Sequence, residues 1–170
     1  RTASALALVL AALAASALTP RAIRRANRGR AVTVLMYHNV SDGENLDVWT
    51  VSTDEFTRQM DCLKAEGWRT LLPDDIWRAS HGLLLLPRKP IVITFDDGYE
   101  GVLEFAEPIL KARGFRATCY LIALRLAGEG PERGSFDSGP LLSTNEVAAM
   151  ARRGTIIFGS HSLTHTKTED

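Results

Sequence analysis

The chain has 170 residues, about one domain's worth and long enough to bury a sizeable core. Its 20 basic and 20 acidic residues balance, but residues 1–30 hold six Arg and no acid, leaving 14 basic against 20 acidic residues and a net of −6 for the remainder. An acidic body excludes a nucleic-acid-binding domain built on a basic face, and the two cysteines, Cys62 and Cys119, match neither a metal knuckle nor a disulfide framework and read as small core residues.

Thr2 to Thr19 is an uncharged, Ala/Leu-rich run of 18 residues, at the short edge for a membrane span. Ala15-Ser16-Ala17 supplies the small residues of a signal-peptidase site. Arg21, Arg24, Arg25, Arg28 and Arg30 come after the run, and by the positive-inside rule that order would hold the following domain in the cytoplasm. Residues 1–30 are expected to be a signal peptide or membrane anchor with an Arg-rich flank, attaching the protein to a membrane through residues 2–19. The expected location is exported or membrane-anchored, facing a bacterial-type cell envelope. A cytoplasm-facing anchor and an exposed Ala helix are the alternatives. The Arg cluster reads as a solvated or membrane-flanking segment rather than a binding site.

From residue 31 short β-branched runs alternate with amphipathic stretches, the pattern of repeated βα units. Ala31 to Met36 is expected to be a buried strand. Ser52 with Glu55 has the form of a capping box and opens a helix to about Glu66, with Phe56, Met60 and Leu63 as its apolar stripe and Gly67 as its stop. Arg69 to Leu72 reads as a weak strand, and Pro73 starts a short helix through about Ala79. Pro90 to Phe95 is the next strand. Pro108 suits the first turn of a helix that runs to Arg113 and stops at Gly114, and Ala117 to Ile122 is a fourth strand. Residues 123–142, rich in Gly and Pro, read as loop. A second capping box, Ser143 with Glu146, opens a helix ending near Gly154, and Thr155 to Gly159 is the fifth strand.

The chemistry concentrates at the ends of these strands. Thr94-Phe95-Asp96-Asp97-Gly98-Tyr99 sets two carboxylates after the third strand, and Ser160-His161-Ser162-Leu163-Thr164-His165 sets two imidazoles four residues apart after the fifth. Asp-Gly alone is a turn signal, and histidines at that spacing arise by chance on solvated helices. Together they supply one carboxylate and two histidines, a set that leaves positions on a divalent metal open. Adjacent carboxylates are costly without positive charge beside them; a metal on Asp97 would keep Asp96 ionised and able to take a proton. The H-E-x-x-H arrangement is not met, since Ser162 stands where its Glu would be. Tyr37-His38 lies just past the first strand, so three strands deliver polar groups to one rim. In a βα barrel that rim is the active one, and a barrel is a better expectation than an open sheet. Five strands do not close an eight-stranded ring, so residues 31–170 are expected to be the N-terminal part of a longer domain. Trp49, in the loop after the first strand, either stacks on a sugar or covers the core. The loops 39–52 and 123–142 should shape the groove.

These residues resemble the polysaccharide deacetylase family, the NodB-homology domain of carbohydrate esterase family 4. Thr94 to Tyr99 is similar to its first motif and His161 to His165 to its second. Val34-Leu35-Met36-Tyr37-His38-Asn39-Val40 resembles a permuted branch typified by the poly-β-1,6-N-acetylglucosamine N-deacetylases, in which the histidine that usually comes last appears first. The resemblance implies a distorted (β/α) barrel and a metal-dependent hydrolase that removes N-acetyl groups from a polysaccharide. It implies Asp97, His161 and His165 as ligands of one divalent metal, Zn²⁺ with Co²⁺ or Ni²⁺ as alternatives. It also implies Asp96 as general base and His38 as general acid. Tyr99 and Trp49 are expected as substrate contacts beside them. The alternatives are an O-acetyl esterase on the same metal and a catalytically silent carbohydrate-binding domain. The partner is an acetylated polysaccharide, with no nucleic acid expected.

Overall fold

A computed structural model describes residues 19–44, 46–126 and 134–166. Most of the N-terminal apolar run therefore lies outside the described residues; among those described, no helix is long and apolar enough to cross a membrane. In chain order the first elements are helix α1 (Pro20–Asn27), strands β1 (Thr33–Tyr37), β2 (Asn39–Ser41) and β3 (Thr50–Ser52), and helix α2 (Thr53–Ala65). Then come β4 (Arg69–Thr70), α3 (Pro73–Ser80), β5 (Pro90–Phe95), a π-helical turn at Val102–Ala106 and α4 (Glu107–Arg113). The last are β6 (Ala117–Leu121), a 3₁₀ turn at Ala123–Arg125, the hairpin strands β7 (Ser135–Phe136) and β8 (Gly139–Pro140), α5 (Thr144–Arg153) and β9 (Ile156–Ser160).

The chain divides into two compact units. In the first, the described residues 19–31 group with 73–87. Thr19 caps α1, its hydroxyl accepting from the Ala22 N–H. Asn27 near the helix end donates to the carbonyls of Ala79 and Leu84 and accepts from the Leu86 N–H. The Arg30 guanidinium donates to the carbonyls of Leu86 and Pro87.

The second unit, residues 32–72 and 88–170, holds the sheet. The five strands expected from the sequence are its five members. All pair in parallel in the order β1-β5-β6-β9, with β4 on β5. This is the α/β class with a parallel sheet that the sequence implied. β5 is buried along its whole length, as a central parallel strand must be. α2 lays Phe56 and Met60, both fully buried, into a core shared with Ile93, Phe95, Leu110, Met150 and Ile156. Ser52 caps α2, but Glu55 bonds Gln59 and Arg58 rather than completing the box; at α5, Ser143 and Glu146 form both bonds of theirs.

Four features depart from the sequence expectation. The first strand, expected to be buried, is exposed or half-buried along its length, with Val34 59% and Met36 60% exposed, because among the described residues β1 ends the strand order and pairs with β5 alone. Cys119 is buried, but Cys62 is exposed: at about 100° per residue it lies roughly 200° from Met60, off the apolar stripe. The stretch before Pro108 is a π turn, in which the Glu107 N–H donates to the Val102 carbonyl five residues back. Pro108 has no N–H to give and would crowd the carbonyl of Glu104, so the helix widens ahead of it. Residues 123–142 are not all loop, since β7 and β8 pair antiparallel there.

Candidate metal centre

Two turns build the site. After β5 the Asp96 N–H donates to the Tyr37 carbonyl at 2.9 Å, extending the β1–β5 ladder by one bond. The Gly98 N–H then donates to the Asp96 carbonyl at 2.9 Å, a three-residue turn centred on Asp97, whose φ is 71°. Gly98 itself has φ 86°, and a Cβ there would lie 2.6 Å from the Leu121 side chain, so glycine is favoured. The turn buries Asp97, 5% exposed, and leaves Asp96 half-buried at the rim.

After β9 the His161 N–H donates to the Leu121 carbonyl at 2.8 Å, and Ala123 and Leu124 donate to the carbonyls of Ser162 and Leu163. The Ser162 hydroxyl accepts from the His165 N–H at 3.0 Å. The two histidines thus sit on a tight turn rather than on a helix, with φ 72° at Ser162 and 57° at His165. Asp97, Ser162 and His165 are the three non-glycine residues of positive φ among those described. Each such conformation costs on the order of 1–3 kcal/mol, so the strain gathers at one place.

Asp97, His161 and His165 each present one ligand atom, and these atoms lie within 4.8 Å of one another. Nε2 of His161 and Nε2 of His165 are both 3.5 Å from Oδ1 of Asp97. Ligand atoms at ~2.1 Å from a tetrahedral zinc would be about 3.4 Å apart. Oδ1 of Asp97 is buried and has no hydrogen-bond partner among the described residues. A buried anionic oxygen with no donor, facing two imidazole nitrogens, fits a cation between them.

Asp96 and His38 flank this group. Burial lifts the Asp96 carboxyl above its ordinary range, and Asp97 adds to the rise, while the imidazoles of His161, His38 and His165 oppose it. Burial also pushes the Cys119 thiol up, with Asp96 and Asp97 adding to it, so this cysteine is an inert part of the floor. The His38 ring lies 4.8 Å from the ring of Trp49, tilted by 50°. His38, Trp49, Asp97, Tyr99 and His165 share an open cleft of about 510 Å³ with Phe136 and Asp137.

The structure therefore brings together all seven residues singled out from the sequence. Two take unequal places in the wall. Trp49 is 52% exposed and faces the cleft instead of covering the core, whereas Tyr99 is 2% exposed and reaches the cleft only at an edge.

The residues missed are on the β7–β8 hairpin. The Phe136 ring meets His165 edge-on at 5.1 Å. Ser138 ties three walls together: its N–H donates to the Tyr99 hydroxyl, its carbonyl accepts from the Asn39 amide, and its hydroxyl donates to Asp47. Asp47 in turn accepts from the Trp49 N–H at 3.0 Å. The signals available were Gly134 and Gly139-Pro140 bracketing Ser135-Phe136, which mark turns but not their partners.

Comparison with known proteins agrees with this geometry. The family model "Polysaccharide deacetylase" matches residues 86–170. YxkH of Bacillus subtilis, which carries the polysaccharide deacetylase name, is 31% identical over 136 residues, 78% of this chain and 42% of its own. The poly-β-1,6-N-acetyl-D-glucosamine N-deacetylase of Escherichia coli K12 is 33% identical over 79 residues, 46% of this chain and 12% of its own. Among solved structures, IcaB from Ammonifex degensii superposes with a TM-score of 0.67 at 28% identity, covering 78% of this chain and 53% of that one. The chain spans about half or less of the length of each of these relatives. With its family model, its relatives and its parallel sheet in agreement, the chain belongs to the polysaccharide deacetylase family.

Proposed function

We propose that this chain carries the metal centre of an N-deacetylase that converts N-acetylglucosamine-type units of a polysaccharide to free amines, releasing acetate. The observation that carries the reading is the donor-free, buried Asp97 Oδ1 set 3.5 Å from both His161 and His165, with Asp96 and His38 on the same rim.

Asp97, His161 and His165 would hold the cation, and two imidazoles with one carboxylate favour Zn²⁺, with Co²⁺ or Ni²⁺ as substitutes. A cation bound there would polarise the acetamide carbonyl and make water more acidic. Asp96, raised in pKa by burial yet close to three imidazoles, takes the proton from the attacking water. His38 gives a proton to the sugar nitrogen as the C–N bond breaks, so that amine and acetate leave as separate products. Trp49 and Phe136 offer apolar rings in the cleft for a pyranose, and Tyr99 lines it beside them.

The name of the Escherichia coli relative supports a poly-N-acetylglucosamine substrate. The apolar run from Thr2 to Thr19 supports an exported or membrane-anchored protein at the cell envelope, with residues 1–30 as leader or anchor and 31–170 as the deacetylase part.

The test is acetate release from N-acetylglucosamine oligomers by the full-length protein, before and after chelation. Loss of release with chelator and its return with Zn²⁺ is the expected result. Release from acetylated xylan alone would move the reading to an O-acetyl esterase. Metal binding without turnover on any acetylated glycan would leave a carbohydrate-binding domain.

A further inference from the structure

The deacetylase reading makes no use of α1. Arg21, Arg24, Arg25 and Arg28 follow the spacing of one helical face, and at about 100° per residue they fall within an arc of about 100°. All four side chains are exposed, and together they line an open groove of about 510 Å³. No acid lies between Thr19 and Ala31, and no described carboxylate forms an ion pair with any of the four. The opposite face is fixed within its own unit. Ile23 and Asn27 are half-buried, and the three hydrogen bonds of Asn27 to residues 79–86 set the helix's rotation about its axis. The fifth arginine, Arg30, is spent on the carbonyls of Leu86 and Pro87. Four guanidinium groups are thus presented together, with no ion-pair partner among the described residues.

What would neutralise them is phosphate, which the guanidinium fork binds in a bidentate manner. From Arg21 to Arg28 the helix advances about 10 Å, too far for one phosphate and suited to several side by side. The sequence next to the helix chooses among the carriers of phosphate. The uncharged run Thr2–Thr19 ends one residue before α1 begins, which places the arginines where an apolar segment would meet a bilayer surface. The net charge of −6 over residues 31–170 opposes a nucleic acid lying along the body.

We infer that the arginine face of α1 docks on the anionic phospholipid headgroups of a membrane surface. This is independent of the deacetylase reading and needs no metal.

Co-sedimentation of the full-length protein with phosphatidylcholine vesicles, with and without phosphatidylglycerol, tests it. The protein should bind the phosphatidylglycerol vesicles more tightly, and salt should weaken that gain. Changing all four positions to Gln should remove the gain, at roughly fivefold per arginine or several hundred-fold together, while binding to phosphatidylcholine alone stays the same. Changing all four to Lys should keep most of it, which guards against a folding defect in the Gln protein. Equal binding of wild type and Gln variant to phosphatidylglycerol vesicles would overturn the inference. So would displacement of the vesicles by millimolar inorganic phosphate, or by DNA at a concentration below that of the lipid.

Discussion

The cleft has two sides that are built by different means. The side holding the candidate metal ligands rests on the sheet: Asp97 and His161 each follow a strand by one or two residues, and ladder hydrogen bonds at 2.8–2.9 Å run into both turns. The side proposed to face the sugar rests on short two-strand pairs and their turns, with Trp49 just before β3 and Phe136 in β7, tied together by side-chain bonds that meet at Ser138. Backbone pairing buried in a sheet is cooperative and hard to deform, whereas a loop held by single hydrogen bonds worth ~1 kcal/mol each is not. The proposed function thus sets its chemistry on the rigid side and its choice of sugar on the adaptable one.

That contrast can be broken or sharpened by substitution. His161→Ala or His165→Ala should cost the most, lowering zinc affinity by about 10²-fold or more and removing acetate release, as read by equilibrium dialysis and an acetate assay. His38→Gln should leave zinc binding intact and lower kcat by about 10²–10⁴-fold, the range of a lost proton donor. Trp49→Ala should raise KM by about tenfold, equivalent to ~1.4 kcal/mol, with zinc affinity unchanged, and Trp49→Phe should recover most of it. Ser138→Ala should have the smallest effect, a rise in KM of a few-fold, because it removes only the hydroxyl bond to Asp47 and leaves the two backbone bonds of Ser138 in place. A large loss of zinc in either loop variant would show that the two sides are one coupled unit.

The same contrast explains what the sequence made readable. β5 runs from Pro90 to Phe95 as expected, because a strand buried on both faces must be almost continuously apolar. Ser143 with Glu146 marked α5 because both bonds of the box are local in sequence. The Asp97, His161 and His165 group was readable because each ligand type follows a strand of the same sheet. What stayed hidden depends on partners far along the chain. β2 and β3 are three residues each and pair in parallel across residues 42–49, too short to leave a period. Nothing in the residue types pairs Ser138 with Asn39, 99 positions away. Gly101 is a further case: a Cβ there would lie 2.0 Å from the Val40 carbonyl, a close approach visible only once the segment after His38 packs against the π turn. The exposure of Cys62 could have been read, since its helical position lies off the Phe56–Met60 stripe.

The central claim is that two adjacent carboxylates divide the work, Asp97 holding the cation and Asp96 taking the proton. Zinc content and acetate release measured side by side on Asp96→Asn and Asp97→Ala test it most directly. Asp96→Asn should keep one zinc per chain and lose turnover, while Asp97→Ala loses both. Equal loss of zinc in the two variants would contradict the division of roles.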